Sequence, residues 1–271
     1  MAYLLNSVDF TTYGITPGQA AGGNIALTGC FDFPPRIGDT HHEWGDEDGF
    51  EIYTDADELF YAGRDITFDG HLTGTRTAIN INLNSLFSAF SAASGTQIFS
   101  TPYGNFNVYA KDAKIANFRE AARIKLVMRE PVVTITGGSI PGTAASGFQI
   151  DGIPMASFGL YPGEIKSINE LPEMKSQYFT KWEAEGFHIA KRKAKKFEFK
   201  ALIMAATLAT FITNVRNLYA LYASPGLRTF TYGANTITGA PLEGFSITGV
   251  TVGAQWTTAT LKSNISVTAM T

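Results

Sequence analysis

The chain has 271 residues, 45% hydrophobic and 17% charged, with mean hydropathy near zero and a formal net charge of −3, the make-up of a soluble globular protein. It excludes an intramolecular disulfide, because Cys30 is the one cysteine, and a bilayer-spanning helix, because the longest apolar-rich run, 201–213, has only 13 residues. The opening MAYLLNSVDF has neither the basic region nor the apolar core of a secretory signal, and the length suits two domains of about 130 residues.

The first predicted element is YLLNSVDFTTYGI, residues 3–15, and its pattern returns without a gap in FQIDGIPMASFGL, residues 148–160. Tyr3 falls on Phe148, Asn6 on Asp151, Val8 on Ile153, Phe10 on Met155, and Tyr13-Gly14-Ile15 on Phe158-Gly159-Leu160. Such a match, 145 positions apart, is the signature of an internal repeat. Next comes a tryptophan with an acidic Gly-Phe patch, WGDEDGF at 44–50, answered by WEAEGF at 182–187. Long hairpin segments follow, at about 50–66 and 187–197. Period-two strands come next: Ile66, Phe68 and Leu72 alternate with polar residues, as Phe197, Phe199 and Ile203 do downstream.

A helix follows each strand. In the first half Leu83, Leu86, Phe87 and Phe90 mark it, with Asn82 or Asn84 as cap and Gly95 at its end. In the second half the periodic set is Leu208, Phe211, Ile212, Val215, Leu218 and Tyr222, with Thr207 as N-cap and Pro225-Gly226 as the stop. Strands at 105–109 and 244–248 pair off, and each half closes on a strand, 122–130 and 260–268. Between the halves GGSIPGTAASG, 137–147, reads as a linker; a phosphate-cradling loop would place Lys after its last glycine, and Thr143 follows Gly142. The expected fold is therefore α+β, mainly β: two tandem domains, 1–136 and 148–271, each a mostly antiparallel sheet or sandwich with one flanking helix.

No motif for catalysis emerges. HHEWGDED at 41–48 has adjacent histidines that point apart on an extended chain, and Asp46, Glu47 and Asp48 lack the alternating spacing of a calcium loop, so it reads as a solvated acidic loop. Cys30 reads as a small buried hydrophobe. No nucleophile elbow, zinc helix, Walker lysine or dinucleotide fingerprint is present, and no catalytic residue, metal or cofactor is expected. KRKAKKFEFK at 191–200 is basic, but Phe197 and Phe199 alternate as core residues, so specific nucleic-acid binding is not the favoured reading.

Charge divides unevenly. Residues 1–136 hold 16 acidic and 9 basic side chains and residues 137–271 hold 8 and 12, so the halves carry −7 and +4. Opposite halves without an active site suggest assembly, with acidic and basic units alternating around a ring. The segments LPEMKSQYFTKWEAEGF, KKFEFKALIM and YASPGLRTF, and in the first half FDFPPRIGDTHHEWGDEDGFE, YAGRDITFDGHLTG and ARIKLVMREP, resemble the N-terminal, tail-tube-like domain of bacteriophage distal tail proteins. The resemblance covers most of the chain through loose patterns of aromatic, Gly and Arg residues.

It implies a ring at the distal end of a phage tail tube in the virion, joined to tail tube, hub and tape measure proteins, with DNA passing unread through the lumen and no membrane insertion. Family members carry one such domain beside a variable one. Two in tandem favour a trimer with pseudo-sixfold symmetry over a hexamer, and leave a duplicated tail tube subunit as an alternative. The hairpins would act as contact arms, giving as interface residues Trp44, Phe50, Trp182 and Phe187 and the basic Lys191, Arg192 and Lys193. The reading from another class is a carbohydrate-binding β module, which would display its aromatics as exposed platforms.

Overall fold

A computed structural model describes residues 2–44, 48–117, 120–144, 147–166, 172, 177–180, 185–188 and 192–270. Among the described residues the chain is α+β, mainly β: two eight-stranded antiparallel sheets, two α-helices and three short two-stranded ladders. Across the first sheet the order is Val8–Asp9, Leu4–Leu5, Gln97–Thr101, Gly104–Asn117, Ala121–Glu130, Arg64–Thr73 and Ile15–Pro17, with Leu27–Thr28 also on Arg64–Thr73. Across the second it is Ile153–Pro154, Gln149–Ile150, Arg228–Tyr232, Asn235–Ala240, Thr257–Met270, Lys195–Ala205 and Leu160–Lys166, with Phe245–Val252 also on Thr257–Met270. Each position in one order has its counterpart in the other. Helices α1 (Arg76–Ser91) and α2 (Leu208–Tyr222) occupy the same place, between the Arg64–Thr73 and Lys195–Ala205 strands and the strands that follow.

The repeat holds at the level of single bonds. Asn6 and Asp151 both adopt positive φ, 47° and 53°. Each clasps the neighbouring strand in the same way. Asn6 donates its N–H to the Ile98 carbonyl and accepts the Ile98 N–H on Oδ1, and Asp151 does the same with Thr229. Asn and Asp tolerate this backbone because their short side chains bond locally. A 3-10 turn follows in each, Phe10–Tyr13 and Met155–Phe158, ended by Gly14 at φ 66° and Gly159 at φ 68°.

Apolar periodicity converts directly into burial. Ile66, Phe68 and Leu72, and Phe197, Phe199 and Ile203, are all at most 2% exposed. In α2 the Thr207 hydroxyl accepts the Thr210 N–H at 3.1 Å, the expected N-cap. Helix α1 starts two turns earlier than its apolar pattern suggests. Thr75 caps it by accepting the Ala78 N–H, and Arg76–Ile81 are mostly exposed, so no stripe marks that stretch. Asn82 is not a cap; its amide lies against Gly14.

The strand Asn235–Ala240 is also absent from the sequence reading. It carries Ile237 as its one large apolar residue and shows no alternation. Register makes it the counterpart of 104–109, because both pair with the strand before, Gln97 with Val108 and Arg228 with Gly239. Residues 105–109 thus match 236–240, not 244–248. A single long strand in the first repeat, bulged between Ala110 and Asp112, is divided in the second by the excursion 241–244.

The arms lie somewhat before the segments expected. In the first repeat Arg36–Ile37 pairs with Phe60–Tyr61 and His41–His42 with Glu51–Ile52; in the second, Gln177–Thr180 pairs with Glu185–His188.

Alanine at the two matched glycines should cost unequal amounts. At Gly14 the new Cβ would meet the end of the Asn82 side chain, whereas at Gly159 it would also come 2.6 Å from the Met204 carbonyl oxygen, which belongs to a strand. Urea unfolding should show Gly14→Ala destabilising by about 1–2 kcal/mol, the left-handed penalty, and Gly159→Ala by about 1 kcal/mol more.

Candidate functional site

The two repeats meet along an edge. Strand Phe245–Val252 pairs with Thr257–Met270 on one side. Its other side is taken by the first repeat. Phe33 and Phe245 exchange N–H to C=O bonds of 2.9 and 3.2 Å, the Ile247 N–H donates to Asp32 Oδ1 at 2.7 Å, and the Asn24 N–H donates to the Val250 carbonyl at 3.0 Å. The Asn24 side chain also bonds both backbone groups of Val252 at 2.8 Å. An edge that would otherwise template foreign strands is thereby closed.

Aromatic rings seal the same joint. Phe33 packs on Tyr61, Tyr219, Tyr222 and Phe245 with centroids 5.1–5.9 Å apart, and Phe31 packs on Phe211 at 5.2 Å. The buried apolar residues of both repeats form one continuous core. Within it sits a charged group. Arg64, 7% exposed, pairs with Glu130, 2% exposed, through a 2.6 Å bond to Oε2. Its Nη1 donates to the Asp32 carbonyl at 2.8 Å and to the Tyr219 hydroxyl at 2.5 Å, and Tyr219 donates to the same carbonyl at 3.0 Å. The guanidinium also lies over the rings of Phe106 and Tyr219.

Burial works against the Arg64 charge, but Tyr219 and Glu130 outweigh it and hold the guanidinium above its ordinary value. Burial lifts the Glu130 and Asp32 carboxyls, with Arg64 opposing. In the second repeat the register differs here: Lys195 faces Val267 where Arg64 faces Glu130. The sequence did carry a signal for this site. Arg64 shares a face with Ile66 and Phe68, and Glu130 with Leu126 and Met128, so period two points both charges inward.

Cavities of about 380 and 300 Å³ flank Arg64. The second is bordered by Cys30, fully inside, where burial pushes the thiol up to about 12. Such a thiol is a packing group, not a nucleophile. Among the described residues no cluster of three or more His, Cys, Asp or Glu side chains is placed to hold a metal ion, and no helix is long and apolar enough to cross a membrane. Asp46 and Glu47 lie outside the described residues.

Of the expected interface residues, Trp44 and Phe50 lie on the first arm. Trp44 is 46% exposed, its ring on His42 and its Nε1 donating to Glu51 Oε2 at 3.4 Å. Phe50 is half-buried against His41. Arg192 is half-buried and Lys193 exposed. Trp182 and Lys191 lie outside the described residues; Phe187 pairs through its backbone with Tyr178, and its side chain is not described. The acidic tip and the basic stretch meet within the chain: the Arg192 N–H donates to Asp48 Oδ1 at 2.6 Å and the Gly49 N–H to the Arg192 carbonyl at 2.9 Å.

No protein-family model matches the chain, and no curated protein does. Among solved structures it is similar to the SPP1 Dit (gp 19.1) protein, described as a paradigm of the hub adsorption apparatus in phages that infect Gram-positive bacteria. That likeness spans 99% of each chain at 10% identity with a TM-score of 0.37, a superposition too loose to bear on what this chain does.

Arg64→Met should destabilise the chain by about 3–5 kcal/mol in urea, because Glu130 is left buried without a partner, and adding Glu130→Leu should recover more than half of that loss. Native protein at pH 8 should leave Cys30 unmodified by iodoacetamide for hours, and full labelling should appear only after denaturation, as mass spectrometry would report.

Proposed function

We propose that the chain is a structural virion protein of a phage tail, forming a ring at the distal end of the tail tube. The ring joins the tube to the hub and receptor-binding apparatus and leaves a lumen for DNA. The observation that carries this reading is the duplication itself: one sheet-and-helix unit occurs twice with the same strand order, and the two copies join along an edge. A unit that pairs edge to edge with its own duplicate is a wall segment. The resemblance of FDFPPRIGDTHHEWGDEDGFE and LPEMKSQYFTKWEAEGF to distal tail proteins supplies the tail context.

In this reading the units 1–136 and 148–271 are two domains on the 137–147 connector. Three chains give six units around the lumen, and tail tube, hub and tape measure proteins are the partners. Trp44, Phe50, Trp182, Phe187, Lys191, Arg192 and Lys193 serve as contact residues on the arms, and no reaction is catalysed. A duplicated tail tube subunit would share the unit but stack into tubes. Exposure of Trp44 is what a carbohydrate-binding module would need, although its indole is engaged by His42 and Glu51.

Electron microscopy of the purified protein tests the proposal. The expected class averages are single closed rings with a hole of roughly 20 Å or more, wide enough for a duplex. Stacked tubes would favour the tube subunit, and monomers at every concentration, with glycan binding lost in Trp44→Ala, would favour the carbohydrate module.

A further inference from the structure

Among the described residues, the joint inside one chain has a counterpart on the first repeat that nothing covers. Ala113 faces Leu126 across from Phe68, as Phe245 faces Ser263 across from Phe199. Ile115 faces Ile124 as Ile247 faces Leu261. Ala113 and Ile115 are therefore the positional equivalents of Phe245 and Ile247. The second-repeat residues are each 3% exposed beneath Asp32 and Phe33, but Ile115 is 36% exposed and Ala113 half-buried. The helices differ in the same sense. Seven residues of α2 are buried and three of α1. Aligned on their caps, Thr75 and Thr207, and on their buried residues, Ile79, Leu83 and Leu86 against Phe211, Val215 and Leu218, the helices put Phe87 and Phe90 where Tyr219 and Tyr222 close the joint, and both phenylalanines are only half-buried.

We infer that the outer edge of the Gly104–Asn117 strand, from Lys111 to Asn117, with the C-terminal half of α1, docks the second repeat of another copy of this chain. The occupant follows from which unit carries the same docking pattern in its register and sequence. The first repeat of any copy has already spent Asp32-Phe33-Pro34 on its own second repeat. In the second repeat the docking side starts at Ile165 and Lys166, which face Phe199 and Glu198 as Leu27 and Thr28 face Phe68 and Thr67. Four residues beyond Lys166 the sequence reads Glu170-Leu171-Pro172, and four beyond Thr28 it reads Asp32-Phe33-Pro34. Acid, apolar residue and proline keep their order.

Until the partner arrives, the Ala113 N–H donates to Asp112 Oδ1 at 2.8 Å, which blunts the edge against other strands. The contact is head-to-tail, so successive copies either close into a ring or extend. This inference rests on the proposal that the chain assembles with itself, and it names the surface.

Sedimentation velocity over a range of concentrations, with hydrogen exchange on the same samples, tests it. Wild type should assemble, and the amides of 111–117 should gain protection as it does. Ile115→Asp should raise the concentration of half-assembly by about a hundredfold or more, since a carboxylate would be buried in the contact, while Ile115→Val shifts it less than about fivefold. Leu202→Asp, on the outer face of the second sheet, should assemble like wild type. Wild type that stays monomeric overturns the ring reading and this inference together. Normal assembly of Ile115→Asp, or rings whose 111–117 amides stay unprotected, overturns the surface alone.

Discussion

A guanidinium taken out of water must have its charge and its donors met by the protein, and Arg64 has both met by groups from two repeats. Glu130 comes from the adjacent strand of the first sheet, the Asp32 carbonyl from the segment that leaves it, and the Tyr219 hydroxyl from the second repeat's helix. If the repeats moved apart, Arg64 would lose the Tyr219 hydroxyl that accepts its Nη1–H and a ring contact while still mostly buried. That penalty ties the position of α2 to the register of the first sheet. Everything along the joint, from the Phe33–Phe245 pairing to the Asn24 clasp on Val252, depends on that placement.

The copies have diverged where the joint demanded it. On the docking side the first repeat carries residues 18–26 between Ile15–Pro17 and Leu27–Thr28, where the second has only 163–164 between positions that face the same partners. That longer loop brings Asn24 to Val252. On the receiving side the second repeat breaks its long strand with the excursion 241–244, and Gly244 passes so close to the Phe33 and Pro34 carbonyls that a side chain would not fit. The shared framework, meanwhile, stays constant down to the Asn6 and Asp151 clasps.

Much of this was legible in the sequence, for physical reasons that can be named. Half-buried strands announce themselves by period two, so 65–73 and 196–204 are legible together with the residues that fill them. Thr207 was readable as a cap because an apolar stripe begins right after it. Helix α1 hid its first turns because its exposed residues give no stripe, and Asn235–Ala240 hid because threonine, glycine and a single isoleucine do not alternate. The first arm is hard to read because its ladders are only two residues long, too short for an alternation to show. The Arg64–Glu130 pair lies 66 residues apart and needs the sheet register to bring it together. Trp44 and Phe50 stand out as aromatics, but composition alone does not say that their rings rest on histidines.

The connector from 137 onward runs against α2, with the Ser139 N–H donating to Asn217 Oδ1 at 2.9 Å. Tethering two surfaces replaces their dilution in solution by a local concentration of order millimolar. A contact that never has to be found by diffusion is under no pressure to remain soluble when open. Its residues are free to become greasy and to trap an ion, as Phe33, Tyr219 and Arg64 have. The equivalent face on the first repeat enjoys no such leash, and there Ala113 stands in place of Phe245 and Ile115 lies more open to water than Ile247.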